Sequence, residues 1–220
     1  MNTKLKYLLS SFLLIIAISS HAQQDTGFVK GLRLSVDLSP IVIMGFEPER
    51  KGIGAAIDFE FKENLFAVIE GGWLDYNSNH SAYNYQLNGV YGLLGVDYNF
   101  LKQESRVDDD IFFIGFRYGA SQFQHQTDNI TYTNYWGTYE GAYEQEQLFG
   151  QWAEITFGFK AELYFAKNVF IGWTIRSKIL ISGKNSDILE PYIIPGYGKT
   201  EKNFKFGISW FLAYRIPFKK

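Results

Sequence analysis

Apolar and polar side chains alternate with a period of two along most of this chain. The last stretch shows the pattern most clearly. From Phe204 to Phe218 every second residue is large and apolar, and most of the residues between them are small or charged. A period of two places the two sets on opposite faces of a β-strand. The closing segment is therefore predicted to be a strand with one apolar face.

Seven earlier segments repeat this alternation. They lie at residues 32–39, 53–61, 65–76, 94–100, 112–119, 153–163 and 169–181. An even number of strands is typical of closed antiparallel barrels in bacterial outer membranes, and closure leaves no unpaired edge in lipid. The predicted fold is all-β, a closed eight-stranded antiparallel transmembrane β-barrel.

The connections between these segments alternate in length. Residues 62–64 and 166–168 are predicted to be tight turns, and residues 102–110 a polar, acidic turn of medium length. The longer connections are predicted at residues 45–51, 77–83, 124–148 and 183–203. Outer-membrane barrels have short periplasmic turns and longer external loops. Both termini are therefore predicted to lie in the periplasm and the four longer loops outside.

The N-terminus has the pattern of a secretory signal peptide. Lys4 and Lys6 precede an apolar run at residues 7–18, and small residues follow before Gln23. The run is too short to cross a bilayer as a helix, which needs about 20 residues. We therefore expect a signal peptide at residues 1–22, one barrel domain at residues 23–220, and a location in the bacterial outer membrane.

Composition adds to this assignment and excludes some chemistry. Aromatic residues make up 18% of the chain, with 21 Gly and only 5 Pro, which suits strands with an aromatic outer face. The absence of Cys excludes disulfides and thiolate metal sites. The formal net charge of −2 gives no sign of a nucleic-acid partner. No cofactor or metal is expected.

The volume of the barrel indicates which face points inwards. An eight-stranded barrel has an interior just wide enough for side chains to fill. The apolar faces carry too many aromatic rings to fit there, whereas the opposite faces are rich in Gly, Ala, Ser and Thr. The apolar faces are therefore predicted to contact lipid.

The predicted inward face carries a balanced set of charges. Its members are Arg33, Asp37, Asp58, Glu60, Glu70, Asp97, Arg117, Glu154, Lys160, Glu162, Arg176, Lys178, Lys205 and Arg215. Because a buried charge without a partner is costly, we expect these groups to pair across the lumen. Such pairs would plug the lumen and fix the strand register. The alternative is a wet path for small solutes, or a gate that opens when partners exchange.

Two of the longer loops carry candidate recognition residues. Residues 124–151 contain four acids and no Lys or Arg, with a Tyr-, Trp- and Asn-rich centre. The alternative for this loop is a plain hairpin that extends two barrel strands. The last loop holds Pro191 and Pro195 within an apolar stretch, and it is predicted to cap the lumen or to present a surface to a partner. The recognition candidates are Tyr132, Tyr135, Trp136, Tyr139, Tyr192 and Tyr197.

Two histidines in the predicted external loops are the only candidates for catalysis. Ser81 lies beside His80, and Asp128 lies three residues after His125. Nucleophilic catalysis needs a nucleophile, a base and an orienting group in one geometry, and the sequence has no spacing that indicates this set. No catalytic residue is predicted, and solvated loop histidines are the simpler interpretation.

Several short sequence segments in the second half of the chain resemble those of a known family. They are Gly115-Phe116-Arg117-Tyr118-Gly119, Trp152-Ala153-Glu154, Arg176-Ser177-Lys178-Ile179-Leu180-Ile181, Ile194-Pro195-Gly196-Tyr197 and Tyr214-Arg215-Ile216-Pro217. They resemble a Bacteroidota family of outer-membrane β-barrels, defined as a domain of unknown function. The resemblance covers most of the chain beyond the signal peptide and implies fold and location, with no activity or catalytic residues.

The sequence predicts a structural protein or a protein that binds a partner. We predict a monomeric barrel that presents its external loops to a protein partner or to lipopolysaccharide. One alternative is an accessory or narrow transport component of a secretion or uptake machine. A second is an outer-membrane enzyme that hydrolyses lipids or peptides.

Overall fold

The computed structural model describes residues 31–80, 83–101, 110–184, 186 and 189–218. The predicted signal peptide at residues 1–22 lies outside the described residues. So do Ser81 and most of the predicted acidic turn at 102–110. Within the described residues, no helix has both the length and the apolar character needed to cross a membrane.

The described part of the chain contains one helix and ten strands. They are β1 (Gly31–Asp37), α1 (Ser39–Phe46), β2 (Arg50–Lys62), β3 (Leu65–His80), β4 (Tyr83–Asn99), β5 (Ile111–Asn134), β6 (Gly137–Leu163), β7 (Ala166–Ser182), β8 (Ile193–Ile194), β9 (Gly198–Lys199) and β10 (Phe204–Pro217).

Eight of these strands close into a ring. Its order is β1-β10-β7-β6-β5-β4-β3-β2, and β2 pairs with β1 again to complete it. All neighbouring pairs are antiparallel. The remaining two strands, β8 and β9, form a small hairpin within the last connection. The predicted fold is confirmed, because all eight alternating segments become barrel strands.

The tight turn predicted at 62–64 is confirmed at residues 63–64. The second tight turn lies at residues 164–165, because the residues predicted for it, 166–168, already belong to β7. The two turns share one hydrogen-bonding pattern. Asn64 and Asn168 adopt positive φ values of 60° and 66°, a conformation that Asn tolerates better than most residues. In each turn a carboxylate from the preceding strand accepts the backbone N–H of that Asn, at 2.9 Å from Glu60 and 2.5 Å from Glu162. Both turns lie at the same end of the barrel.

The longer connections differ in part from the prediction. The loop expected at 45–51 is shortened to residues 47–49, because Pro40 starts α1 directly after β1 and β2 begins at Arg50. The loop expected at 77–83 is wrong in extent: β3 continues to His80 and β4 begins at Tyr83. Residues 124–148 form a long hairpin of β5 and β6, which is the simpler of the two interpretations of that segment.

The outward face of the ring is apolar along the height of the barrel. Ile69, Leu94 and Phe116 expose 57%, 63% and 52% of their surface, and they alternate with buried or half-buried inward residues. Water does not stabilise so continuous an apolar surface on a monomer, whereas the hydrocarbon core of a bilayer does. The structure therefore has the outer surface of a membrane barrel.

Substitution of Ile175 tests this assignment. Ile175 points outwards near the middle of β7, and Arg there is expected to lower the free energy of unfolding in lipid vesicles by about 2–4 kcal/mol. Denaturant titration of the refolded barrel measures the change.

The matched control is Tyr139→Arg on the β5–β6 hairpin, where the side chain is 65% exposed beyond the barrel wall. It is expected to change the unfolding free energy by less than about 0.5 kcal/mol. Equal losses for Ile175→Arg and Tyr139→Arg would contradict a lipid-facing position for Ile175.

Candidate functional site

The lumen is filled in three layers. Near the tight turns, the inward rings of Phe66, Phe113, Phe170 and Phe211 are almost fully buried. Above them lies a layer of charged side chains. At the end with the long hairpin, an apolar cluster around Trp152, Ile193 and Ile194 closes the barrel. The alternation pattern places Phe113 and Phe211 on the inward faces of their strands, whereas it does not assign Phe66 and Phe170 to a face.

Nine of the predicted charges form one continuous chain of ion pairs in the middle layer. Its order is Arg33, Asp58, Lys160, Asp97, Arg117, Glu70, Arg176, Glu154 and Lys178. Cations and anions alternate along it. The consecutive distances are 2.5, 2.7, 4.0, 2.7, 2.9, 2.7, 3.1 and 3.5 Å. Each buried charge therefore lies next to a charge of opposite sign.

Arg117 holds the centre of this chain. Its Nη1 and Nη2 atoms donate to the two oxygens of Asp97 at 2.7 and 3.0 Å, and its Nε atom donates to Glu70 at 2.9 Å. Two glycines make room for the bidentate pair. A Cβ on Gly95 would lie 2.4 Å from Arg117 Cδ, and one on Gly115 would lie 2.0 Å from Asp97 Oδ1. The pairing thus depends on small residues in the facing strands.

The remaining five predicted charges lie outside the chain. Arg215 pairs with Glu162 at 3.6 Å. Glu60 accepts the backbone N–H of its turn, and Asp37 accepts the backbone N–H of Ser39 at 2.8 Å. Lys205 has no ion-pair partner among the described residues, so the expectation that it pairs across the lumen is not met there.

The last loop folds over the outer mouth of the lumen. Ile193 and Ile194 are 0% exposed and pack with Trp152, whose indole N–H donates to Glu154 at 2.6 Å. Of the two interpretations of this loop, the structure supports the cap. At the edge of the loop, the Tyr192 hydroxyl and the Glu47 carboxylate raise the pKa of Lys199 to about 12.

The recognition candidates separate into two groups. On the β5–β6 hairpin, Tyr135 and Trp136 are 92% and 89% exposed, and Tyr139 lies beside them on β6. Tyr132 is on β5, and its backbone pairs with that of Tyr139. In the last loop, Tyr192 is 38% exposed, whereas Tyr197 is buried.

The two tyrosines of the last loop contact other parts of the protein to different extents. The ring of Tyr192 lies 5.6 Å from that of Tyr76. Tyr197 is only 3% exposed, and its hydroxyl donates to the Lys202 carbonyl at 2.7 Å. The prediction that Tyr197 is a recognition residue is therefore corrected, because its ring is buried beside Trp152 and is not accessible to a partner.

The two histidines lie on different strands and do not combine into one site. His80 contacts Ser78 Oγ at 3.1 Å, and no carboxylate orients its ring among the described contacts. His125 lies 3.2 Å from the Tyr85 hydroxyl and 3.6 Å from Glu146, without a hydroxyl nucleophile of Ser in its described contacts. The described residues also contain no group of three or more His, Cys, Asp or Glu arranged to hold a metal ion.

Removal of Arg117 tests the energetic role of the chain. Arg117→Met leaves Asp97 and Glu70 without their shared partner, and it is expected to lower the free energy of unfolding by about 3–5 kcal/mol. The control is Arg50→Met, which removes a rim pair with Glu47 at 3.9 Å and is expected to cost less than about 1 kcal/mol. Denaturant titration in vesicles compares the two, and equal losses would contradict the role given to the chain.

Comparison with solved structures finds outer-membrane β-barrel proteins at low sequence identity. The N-terminal β-barrel domain of Pseudomonas aeruginosa OprF is 12% identical over 84% of this chain and 97% of its own, with a TM-score of 0.33. Ail, the attachment invasion locus protein of Yersinia pestis, is 8% identical over 85% and 97%, with a TM-score of 0.42. CarO2 of Acinetobacter baumannii is 13% identical over 85% and 98%, also with a TM-score of 0.42.

Sequence comparison places the chain in one family. No curated protein shows significant sequence similarity to it. The model of the family described as "Domain of unknown function (DUF6048)" matches residues 4–220. Because this match runs over almost the whole length, the chain belongs to the DUF6048 family.

Proposed function

We propose that this protein is an integral outer-membrane barrel that presents its β5–β6 hairpin to a protein partner outside the cell. The observation that carries the proposal is the exposed aromatic tip of the hairpin. Tyr135 and Trp136 are the most exposed rings among the described side chains of the hairpin, and they contact each other edge to face at 5.2 Å. Rigid aromatic side chains supply contact area at low cost in conformational entropy, as they do in other recognition surfaces.

The hairpin stands clear of the barrel wall. β5 pairs with β4 only as far as Asp128, and β6 pairs with β7 only from Gln151 onwards. Residues 129–134 of β5 extend beyond the last pair with β4, which corresponds to about 20 Å at the usual rise of a strand. A partner can therefore reach the tip without meeting the barrel.

The free edge and the charge of the hairpin indicate the kind of partner. From Gly137 to Gly150, β6 pairs with β5 alone within the described structure, so its other edge offers N–H and C=O groups to an added strand. Residues 124–151 contain Asp128, Glu140, Glu144 and Glu146 and no cation. These features favour an extended, basic segment of a partner protein.

The filled lumen favours an anchor over an open channel. One cavity among the lumen charges has a volume of only about 50 Å³, and the larger cavity of about 470 Å³ lies beside α1 at the barrel wall. The aromatic layer and the capping cluster lie at the two ends of the lumen. Export by the signal peptide at residues 1–22, a monomeric state and a source in the Bacteroidota stay predictions from the sequence.

Site-specific photo-crosslinking in intact cells tests the proposal. A photoreactive residue at position 136 is expected to give a discrete protein adduct, which is lost when residues 127–147 are replaced by a short turn. Reversal of charge by Glu140→Lys with Glu144→Lys is expected to weaken the same adduct, because the partner segment is basic.

The matched control is Tyr164, a fully exposed aromatic residue at the turn end of the barrel. A photoreactive residue there is expected to give no adduct of that size. The same adduct from positions 136 and 164, or an adduct at 136 that charge reversal leaves unchanged, would contradict the proposal.

A further inference from the structure

The barrel wall has a seam at the end that carries the long hairpin. β1 is only seven residues long and ends at Asp37, whereas its neighbours β2 and β10 continue further. The last bonds across the β1–β10 side join Leu38 N to Trp210 O at 2.8 Å and Trp210 N to Ser39 Oγ at 2.9 Å. Beyond the end of β1, the edges of β2 and β10 face each other with no strand between them. We call this gap the seam.

The register of the sheet defines the two edges of this seam. On one side, residues 204–209 of β10 pair with β7 alone. On the other, residues 50–53 of β2 pair with β3 alone. The outward residues on these edges, Phe206, Ile208 and Ile53, are apolar and 72%, 55% and 61% exposed. The seam therefore opens within the apolar outer surface.

Helix α1 covers the seam without sealing it by a hydrogen-bond ladder. Its eight residues are apolar or small on every side, and none of them is buried. Ile41, Val42 and Phe46 are 60%, 53% and 85% exposed. The polar ties near its C-terminal end run through Glu47, which pairs with Lys199 at 3.0 Å and with Arg50 at 3.9 Å. The helix is thus a loosely attached piece of wall in contact with lipid.

A cavity of about 470 Å³ passes through the seam. Glu70, Arg176 and Ser209 line it from the lumen, and Trp73, Phe206 and Ile208 line it from the outward face. Since alternate residues of a strand point to opposite sides, a cavity that touches both faces of β10 must open at the edge of that strand. The cavity therefore connects the lumen with the outer surface of the barrel.

The polar end of the cavity is strongly basic. Its lining includes six cations, against the two acids Asp37 and Glu70, and these cations are Arg50, Lys51, Arg176, Lys178, Lys199 and Lys205. Lys205 lies directly opposite Lys178 in the β10–β7 ladder. Like charges repel each other, and the positive charges of Lys199 and Arg50 also act on Lys205, which has no ion-pair partner in the described part of the chain. An anion placed between them would relieve this repulsion.

We propose that the seam is a lateral binding site for an anionic phospholipid. The phosphate group would lie against Lys205, Lys178 and Arg50, and an acyl chain would leave the barrel between α1 and β10 along Phe206 and Ile208. The site rests on the membrane location in the proposed function and adds a ligand class to it. Its charge complementarity selects a phosphate-bearing headgroup, and its opening within the apolar surface selects a membrane lipid over a free phosphate ion.

Native mass spectrometry of the refolded full-length barrel tests this site. The probes are dioleoyl phosphatidylglycerol and dioleoyl phosphatidylcholine, added separately to the protein in a neutral detergent. We expect one retained phosphatidylglycerol molecule and no comparable retention of phosphatidylcholine. Lys205→Glu is expected to weaken the retention about tenfold or more, because it places an acid where the phosphate would lie.

Two further variants separate the site from general effects. Lys167→Glu makes the same change of charge at the opposite end of the barrel and is expected to retain the lipid as the wild type does. Gly207→Leu fills the cavity without a change of charge. A Cβ at Gly207 would meet only Lys178 Cε, at 3.8 Å, so the variant is expected to fold and to lose the lipid.

Folding is read separately from binding by the faster migration of the unheated barrel on a denaturing gel. Equal retention of the two lipids, or retention that survives both Lys205→Glu and Gly207→Leu in folded protein, would overturn the lateral site. Displacement of the lipid by millimolar inorganic phosphate would identify a free-anion site and would overturn it too. A protein that stays soluble without detergent would overturn the membrane location itself.

Discussion

The lumen of an eight-stranded barrel is too narrow to hydrate the charges that its inward face carries, and this constraint governs the rest of the structure. Each charge must find a partner on another strand, or the burial of that charge would cost several kcal/mol. The nine-membered chain from Arg33 to Lys178 meets this requirement by alternating cations and anions. The aromatic layer lies below it and the capping loop above it, and Glu70, Arg176 and Lys178 also line the cavity beside α1.

The same chain of ion pairs shows which strand of the barrel wall has the fewest electrostatic contacts with the others. Strands β1 to β7 each contribute at least one charge to it, whereas β10 contributes only the Ser209 hydroxyl, which accepts from Arg176 Nε at 2.9 Å. β10 also carries two cations, Lys205 and Arg215, and both lie outside the chain of ion pairs. β10 also forms one of the two edges of the seam, so the seam adjoins the strand that contributes least to the chain of ion pairs.

The strand count and the facing of the strands could be predicted from the sequence because the outward positions must be apolar in lipid and the inward ones need not be. The identity of the ion-pair partners could not. Lys160 and Asp58 are 102 residues apart, and they meet only because the strand register and the closure of the ring bring them together. The glycines opposite Arg117 and Asp97 were visible in the sequence, but their role depends on that register.

The alternation pattern did not determine the structure of two other segments, α1 and the β5–β6 hairpin. The segment Ser39–Phe46 is apolar on all sides, so its sequence indicates neither a strand face nor a helix face, and only the turn at Pro40 directs it into α1. The β5–β6 hairpin was one of two interpretations of its segment, because polar and aromatic residues are mixed beyond the barrel and give little contrast between the two faces. In both cases the surroundings of the segment determine its structure more than its own pattern does.

The most direct test of this account is the conductance of the purified barrel in a planar lipid bilayer. A lumen closed by paired charges and two apolar layers predicts no steady current steps at moderate voltage. Steady, ion-selective steps from the wild-type protein would show a continuous water path through the lumen. That result would contradict the central claim that the charges serve as a closed, structural plug.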